Sequence, residues 1–294
     1  MHHTKPRLAL AIGILCISIF PILVKLELTP GLISAFYRMF FAFCIIVPVA
    51  LYFKKFKFPS KRYLFLALLC GILFGSDVAV WNIAIQESSA TQASLLTNLS
   101  PVWVGIATFL FLNPKPKTNF WLGTFVAFLG MITFVGFHFI AAFDFDRAFV
   151  FAVLSGVFYA AYLLVSKKVL TNMDVFSFMI ISLFASSIYL GIISFFANEP
   201  FSGFSVAGWS VLVVQAVVCQ LAAWLLISYA TQHMKATRVS LSLLAQAVLT
   251  ALIAYLFLDE KLTLQMILGG VLLLLGIRIT FFEKTLSFKR IFKS

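Results

Sequence analysis

Charge is what this sequence has least of. Only 11% of its 294 residues are Asp, Glu, Lys or Arg, while 62% are hydrophobic. A soluble domain is about half apolar and a quarter charged. There are too few polar residues here to cover a water-soluble globule. Runs of roughly 18 or more apolar residues with few charges mark membrane-crossing helices, and such runs repeat along the chain. An integral membrane protein follows, with little room for a soluble domain.

Other absences narrow the function. The four cysteines, Cys16, Cys44, Cys70 and Cys219, each sit in an apolar run without CxxC spacing. They read as small core residues, not as disulfides or ligands. His2 and His3 are too few for a metal site. HExxH, GxSxG and any His–acid cluster at metal spacing are missing, so neither enzyme chemistry nor a cofactor nor a metal is expected. Without a P-loop, ATP is not the energy source. Without rings of like charge or a filter motif, a channel is not expected. Acids are the rarer sign: 10 Asp and Glu against 22 Lys and Arg, a net charge of +12. No basic face or recognition motif points to nucleic acid. The cations lie in short loops, where they set topology and meet anionic lipid.

What is present divides into ten apolar segments, about 8–26, 31–53, 62–86, 91–112, 119–140, 148–166, 174–197, 208–231, 237–258 and 263–282. The first looks like a signal peptide but has no small-x-small cleavage site, and reads as a retained helix. With the N-terminus inside, the inner segments carry Lys5 and Arg7; Lys54, Lys55, Lys57, Lys61 and Arg62; Lys115 and Lys117; Lys167 and Lys168; Lys235 and Arg238; and the basic C-terminal tail. The outer segments carry only Lys25, Arg147 and Lys261. The alternation predicts ten spans with both termini cytoplasmic.

The sequence repeats itself. An offset of 146 residues lays "ATQASLLTNLSPVWVGIATFLFLNPKPK", from Ala90, on "ATRVSLSLLAQAVLTALIAYLFLDEKLT", from Ala236, without a gap. Gln86 then falls on Gln232, Gly123 on Gly269 and Gly130 on Gly276. Each copy holds five spans, an odd number, so the second enters the membrane from the opposite side. Two inverted repeats are expected, 1–146 and 147–294, as in secondary transporters. The joint at Asn113–Lys117 is purely basic and the matching joint at Asp259–Lys261 carries acids, as joints on opposite faces would.

These features resemble the drug/metabolite transporter superfamily, in its ten-helix EamA-type branch. The resemblance rests on Lys25 closing span one, Pro30 and Arg38 in "TPGLISAFYRMFFAF", "LSPVWVGIATFLFL" in span four, and "LFLDEKLTLQMILGGVLLLLG" across spans nine and ten. The first half departs from the pattern: Asn113-Pro114-Lys115-Pro116 replaces the acidic joint. The resemblance implies an all-α fold in a bacterial inner membrane. Spans one to four and six to nine would surround a central cavity, with five and ten at the edge. It also implies export of metabolites such as amino acids; uptake of a vitamin or nucleoside-type solute is the alternative.

Polar residues inside the spans are candidates for that cavity. Asp77 is the single carboxylate well inside a span, roughly 13 Å below the outer end at 1.5 Å per residue. Arg38 lies roughly 10 Å below the same surface. A charge at such depth costs roughly 2.5–3.5 kcal/mol, so each needs a partner or a hydrated cavity. They are expected either to pair or to bind opposite ends of a zwitterionic substrate, with Asp77 the candidate proton carrier. Trp81 shares a face with Asp77. Asn98, Tyr159, Gln220, Trp224 and Gln246 complete the expected substrate-binding set, beside Ser94, Ser155, Tyr162 and Ser240. The alternative for each is hydrogen bonding between helices. Lys25, His138 and Arg278 read as interfacial. Pro21 and Pro101 are expected to break spans one and four. The partners implied are a small-molecule substrate, the lipid bilayer and protons, in a monomer or a homodimer.

Overall fold

The computed structural model describes residues 4–24, 26–87, 98–136, 147–257 and 261–282. Lys25, Ser94, His138, Asp259 and Glu260 lie outside them. Every regular element among the described residues is a helix. The ten are α1 (Thr4–Val24), α2 (Gly31–Tyr52), α3 (Lys61–Glu87), α4 (Ser100–Phe111), α5 (Thr118–Val135), α6 (Arg147–Leu170), α7 (Val175–Phe196), α8 (Val206–His233), α9 (Ala236–Phe257) and α10 (Leu264–Thr280). Eight are long and apolar enough to cross a bilayer; α4 and α10 are shorter apolar helices.

Local chemistry sets several starts. Asp174 accepts from the Ser177 amide (3.0 Å), Ser205 from Gly208 (3.1 Å) and Thr263 from Met266 (3.2 Å). Each satisfies an amide that the first helical turn leaves without a partner. Helix ends are closed by neighbours. Gln232 Nε2 donates to the Leu170 carbonyl at the end of α6 (2.7 Å), Lys167 Nζ to the Gln232 carbonyl near the end of α8 (2.8 Å), and Asn119 Nδ2 to the Phe282 carbonyl beyond α10 (3.0 Å).

The same contacts place the loops. One end of the bundle gathers the start of α1, the α2–α3, α4–α5, α6–α7 and α8–α9 joints and the end of α10: Lys57 N bonds Ser177 Oγ, and Arg7 and Arg238 both lie over Phe281. The other end brings Tyr37 to the Phe201 carbonyl and Gly208 against the α1–α2 joint. The segments expected on one face by their Lys and Arg content are thus collected at one end.

The core runs between α1, α2, α3, α6, α7 and α8, with Met39, Ile46, Leu163, Phe178, Leu190 and Ile227 shut away from solvent. Large apolar side chains on the outside, such as Phe65, Phe125, Ile192 and Val271, suit a hydrocarbon surround. α5 and α10 pack chiefly on one another. Gly123 meets the Gly276 carbonyl and Thr280; Gly269, its counterpart at the 146 offset, meets the Gly130 carbonyl and Phe134, which is the counterpart of Thr280. The two faces exchange under the offset, as an isologous two-fold contact does.

Three interruptions shape the interior. α1 stops at Ile17, turns through Ser18 and Ile19, and resumes as Phe20–Val24. Pro21, which has no N–H to give, sits in the restarted turn. α9 is broken at Leu244. The offset takes Leu244 to Asn98, which lies in the turn preceding α4. Pro101 occupies the first turn of α4, directly after the Asn98–Leu99 turn; the earlier part of the fourth span lies outside the described residues. α8 contains a π-helical stretch, Gln215–Ala222.

Candidate transport cavity

The interruptions in α1 and α9 converge with the start of α4 on a cavity of about 340 Å3. Non-helical backbone inside a membrane is tolerated where it lines such a space. Residues from the α1 turn, the α4 start and the α9 break form part of its wall: Phe20 and Pro21, Asn98 and Ser100, Leu244 and Gln246. The break in α1 frees the Ser18 carbonyl, and Thr250 Oγ1 of α9 donates to it at 2.9 Å. One polar side chain thus stabilises one interruption from across the other.

Of the residues singled out from sequence, Arg38, Asp77, Trp81, Asn98, Tyr159, Trp224 and Gln246 all line this cavity. Gln220 does not. It is buried in the π stretch of α8, and its Oε1 has no partner. Both Gln220 and Trp224 were expected to bind substrate, and they stand four residues apart. A π turn holds more residues per turn than an α turn, so that spacing no longer marks one face.

Arg38 and Asp77 were expected either to pair or to hold opposite ends of one substrate. Among the described residues no ion pair joins Arg38 to Asp77. Arg38 is 4% exposed, its Cζ stands 4.3 Å from the centre of the Phe20 ring, and its Nε has no hydrogen-bond partner. Asp77 is 7% exposed and accepts from Ser155 Oγ at 2.5 Å. Equal depth does not fix direction around a helix axis, which is why depth alone suggested a pair. Two opposite charges therefore face one cavity without cancelling each other. A guanidinium stacked on an aromatic ring is partly stabilised in low dielectric, but its fork remains suited to a carboxylate.

Aromatic rings form much of the rest. Phe74, Tyr162 and Trp224 make a mutually packed cluster with centroids 4.7–5.6 Å apart, and Tyr159 joins it 6.3 Å from Trp224. Trp224 Nε1 is buried without an acceptor. Most buried donors are satisfied, so this one is either a standing cost or a contact completed by a ligand. Phe20, Phe74, Ser100 and Thr250 were not singled out from sequence; only Pro21, adjacent to Phe20, signalled that stretch. Among the described residues no three His, Cys, Asp or Glu side chains gather at metal-binding distance.

Comparison with known proteins fits this architecture. A previously solved crystal structure superposes with a TM-score of 0.80 at 14% identity, over 95% of this chain and 98% of that one, which shows a shared fold. An uncharacterized transporter of Archaeoglobus fulgidus is 26% identical over 290 residues, covering 95% of this chain and 98% of its own. S-adenosylmethionine uptake transporters of Rickettsia bellii and Rickettsia conorii are 26% and 27% identical over 160 residues. Those matches cover 54% of this chain and 52% of each relative, so the chain spans about half the length of these two. The profile of the EamA-like transporter family matches twice, over residues 5–136 and again over 146–282. The chain is a multi-pass membrane protein and belongs to the EamA-like transporter family.

Proposed function

We propose that this protein is a secondary transporter for a small amphipathic metabolite with a zwitterionic, amino-acid-like head. The substrate moves through the cavity by alternating access of two inverted halves, residues 1–146 and 147–294. The observation that carries the reading is the pair of opposite charges, Arg38 and Asp77, which line one cavity without pairing. Arg38 takes a carboxylate and Asp77 an ammonium, while Phe74, Tyr159 and Trp224 hold the apolar body. Asn98 and Gln246, one on each half, hydrogen-bond the rest. Transport is favoured over enzyme chemistry because the wall offers recognition groups and the family model is one of transporters. The exchanging glycine contacts of α5 and α10 and the two family matches support the repeat, and the cation-rich end supports cytoplasmic termini.

The resemblance alone suggested export. The Rickettsia relatives, named for uptake, favour import, and S-adenosylmethionine fits the wall: it has an amino-acid head, a cationic centre and an aromatic base. Counterflow in proteoliposomes tests the reading. Labelled S-adenosylmethionine, amino acids, nucleosides and vitamins are offered against each unlabelled solute inside. Saturable counterflow of at least one amino-acid-headed solute is expected. Conductance without saturation, or counterflow restricted to solutes lacking that head, would sink it.

Trp224→Phe isolates one contact. It keeps the ring that packs on Phe74 and removes the unpartnered N–H. Half-saturation for the substrate should rise about tenfold, the worth of one hydrogen bond at about 1.4 kcal/mol. The unfolding temperature should hold or rise, because a buried unsatisfied donor is gone. A fall in stability with unchanged half-saturation would make Trp224 purely structural.

A further inference from the structure

A second cavity opens at the end of the bundle that gathers the α4–α5 and α8–α9 joints. It has a volume of about 190 Å3, room for roughly six waters. That is small for a whole metabolite and sufficient for one tetrahedral anion. Five cations line it: Lys115 and Lys117 before α5, Lys167 in the last turn of α6, and Lys235 and Arg238 at the start of α9. No carboxylate lines it among the described residues.

The bonds of Lys115, Lys167 and Arg238 do not cancel their charge. Lys167 donates to the Gln232 carbonyl and Arg238 Nε to the Thr280 carbonyl (3.2 Å), while Lys115 Nζ contacts the Phe109 carbonyl. Carbonyls orient the cations and leave the net positive field in place. Two helix starts add to it. Lys117 and Lys235 occupy the cap positions of α5 and α9, neither provides a side-chain cap, and the positive dipole end of each helix adds to the field. Both starts border the cavity through Phe120 and Thr237. Like charges around a concave, partly apolar space repel one another. The cluster is favourable when an anion fills it.

The repeat does not demand this feature. At the matching joint of the other half, Asp259 and Glu260 stand at the positions of Asn113 and Pro114. Topology does not demand it either, since an inner-face bias is met by cations spread over separate loops. Here they are drawn from both halves into one pocket.

We propose that this cavity binds a phosphate group, presented by an anionic phospholipid headgroup or by free phosphate in solution. Phosphate offers oxygens in several directions, as a ring of ammonium and guanidinium donors requires. Basic pockets between transmembrane helices are a known setting for anionic headgroups, and Leu112, Leu164 and Phe282 provide an apolar border for an acyl chain. A phosphate held here ties the α4–α5 joint to the start of α9, and so one half to the other. The proposal stands whatever the central cavity carries.

The full-length protein in detergent is titrated separately with phosphatidylglycerol, phosphatidylcholine and inorganic phosphate. Binding is read by native mass spectrometry and by unfolding temperature. Phosphatidylglycerol or inorganic phosphate should bind and stabilise, and phosphatidylcholine should not. Stabilisation by inorganic phosphate assigns free phosphate; stabilisation by phosphatidylglycerol alone assigns the lipid headgroup. The double variant Lys115→Gln/Lys235→Gln should weaken that binding about thirtyfold, the expected effect of two cations near an anionic group. Lys54→Gln/Lys55→Gln, which removes the same charge from the α2–α3 joint, should leave it unchanged. If the Lys115/Lys235 variant does not fold, Lys235→Gln alone, at an exposed position, should weaken binding about fivefold. No binding of either anion, or equal weakening in the two double variants, overturns the proposal.

Discussion

Asp77→Asn should slow substrate transport by about tenfold to a hundredfold, without destabilising the fold. The magnitude comes from one charge-assisted hydrogen bond, worth about 1.5–3 kcal/mol, lost from the interaction with a substrate ammonium. The stability forecast has the opposite origin. A carboxylate inside the bilayer costs roughly 2.5–3.5 kcal/mol, and in this chain a hydroxyl from Ser155 supports it where an arginine was expected. Asparagine keeps an oxygen for Ser155 and removes the charge, so the unfolding temperature should hold or rise. If Asp77 also carries the coupling proton, stimulation by an imposed pH gradient disappears in the variant along with the rate. An unchanged rate with an unchanged pH profile removes Asp77 from the mechanism. A fall in stability matching the fall in rate would make it a structural residue.

Arg38→Gln complements that test. The variant should lose recognition of solutes bearing a carboxylate while retaining their amide or ester analogues, because glutamine keeps a donor but not the charge. Equal loss for acids and amides in counterflow competition would show that the guanidinium serves only to pack on Phe20.

The number and order of spans were legible because hydrocarbon solvates nothing polar. Each crossing must be a long apolar helix, and length alone reveals it. The 146-residue offset was legible because Gly, Gln and Ser stand out against an apolar background. The interior geometry was less so. Pro21 announced the interruption in α1, but Leu244 breaks α9 between ordinary helix formers, with no Pro or Gly beside it. The offset from Asn98 was the one signal available. The π stretch of α8 has no sequence mark at all, and Gln220 was misplaced for that reason. Depth along a helix can be counted from residue number; which neighbour a side chain meets around the axis cannot. Arg38 and Asp77 were expected either to pair or to hold opposite ends of one substrate; Arg38 stacks on Phe20 and Asp77 accepts from Ser155.

Two adjacent glycines in α10 should respond to alanine with opposite signs. A methyl at Gly269 would fall on the backbone of Phe134 and the Gly130 carbonyl, and backbone cannot step aside without prising α5 from α10. A methyl at Gly270 would meet only side-chain carbons, of Val248 at 3.4 and 3.5 Å and of Phe134 at 3.7 Å, which is ordinary packing. Gly269→Ala should therefore cost about 1–3 kcal/mol, as overpacked interiors do. Gly270→Ala should be neutral or stabilise by about 0.5–1 kcal/mol, the usual gain of alanine over glycine in a helix. Gly130→Ala should match Gly269→Ala in size, since each methyl strikes the other helix's backbone at the same crossing. Once one methyl has widened that crossing, the second meets less resistance, so the double variant should cost less than the sum of the singles. Thermal unfolding of the four variants in one detergent measures all of this. A neutral Gly269→Ala, or strict additivity with Gly130→Ala, would mean that α5 and α10 do not touch backbone to backbone. The exchange of contacts that relates the two halves would then lose its physical basis.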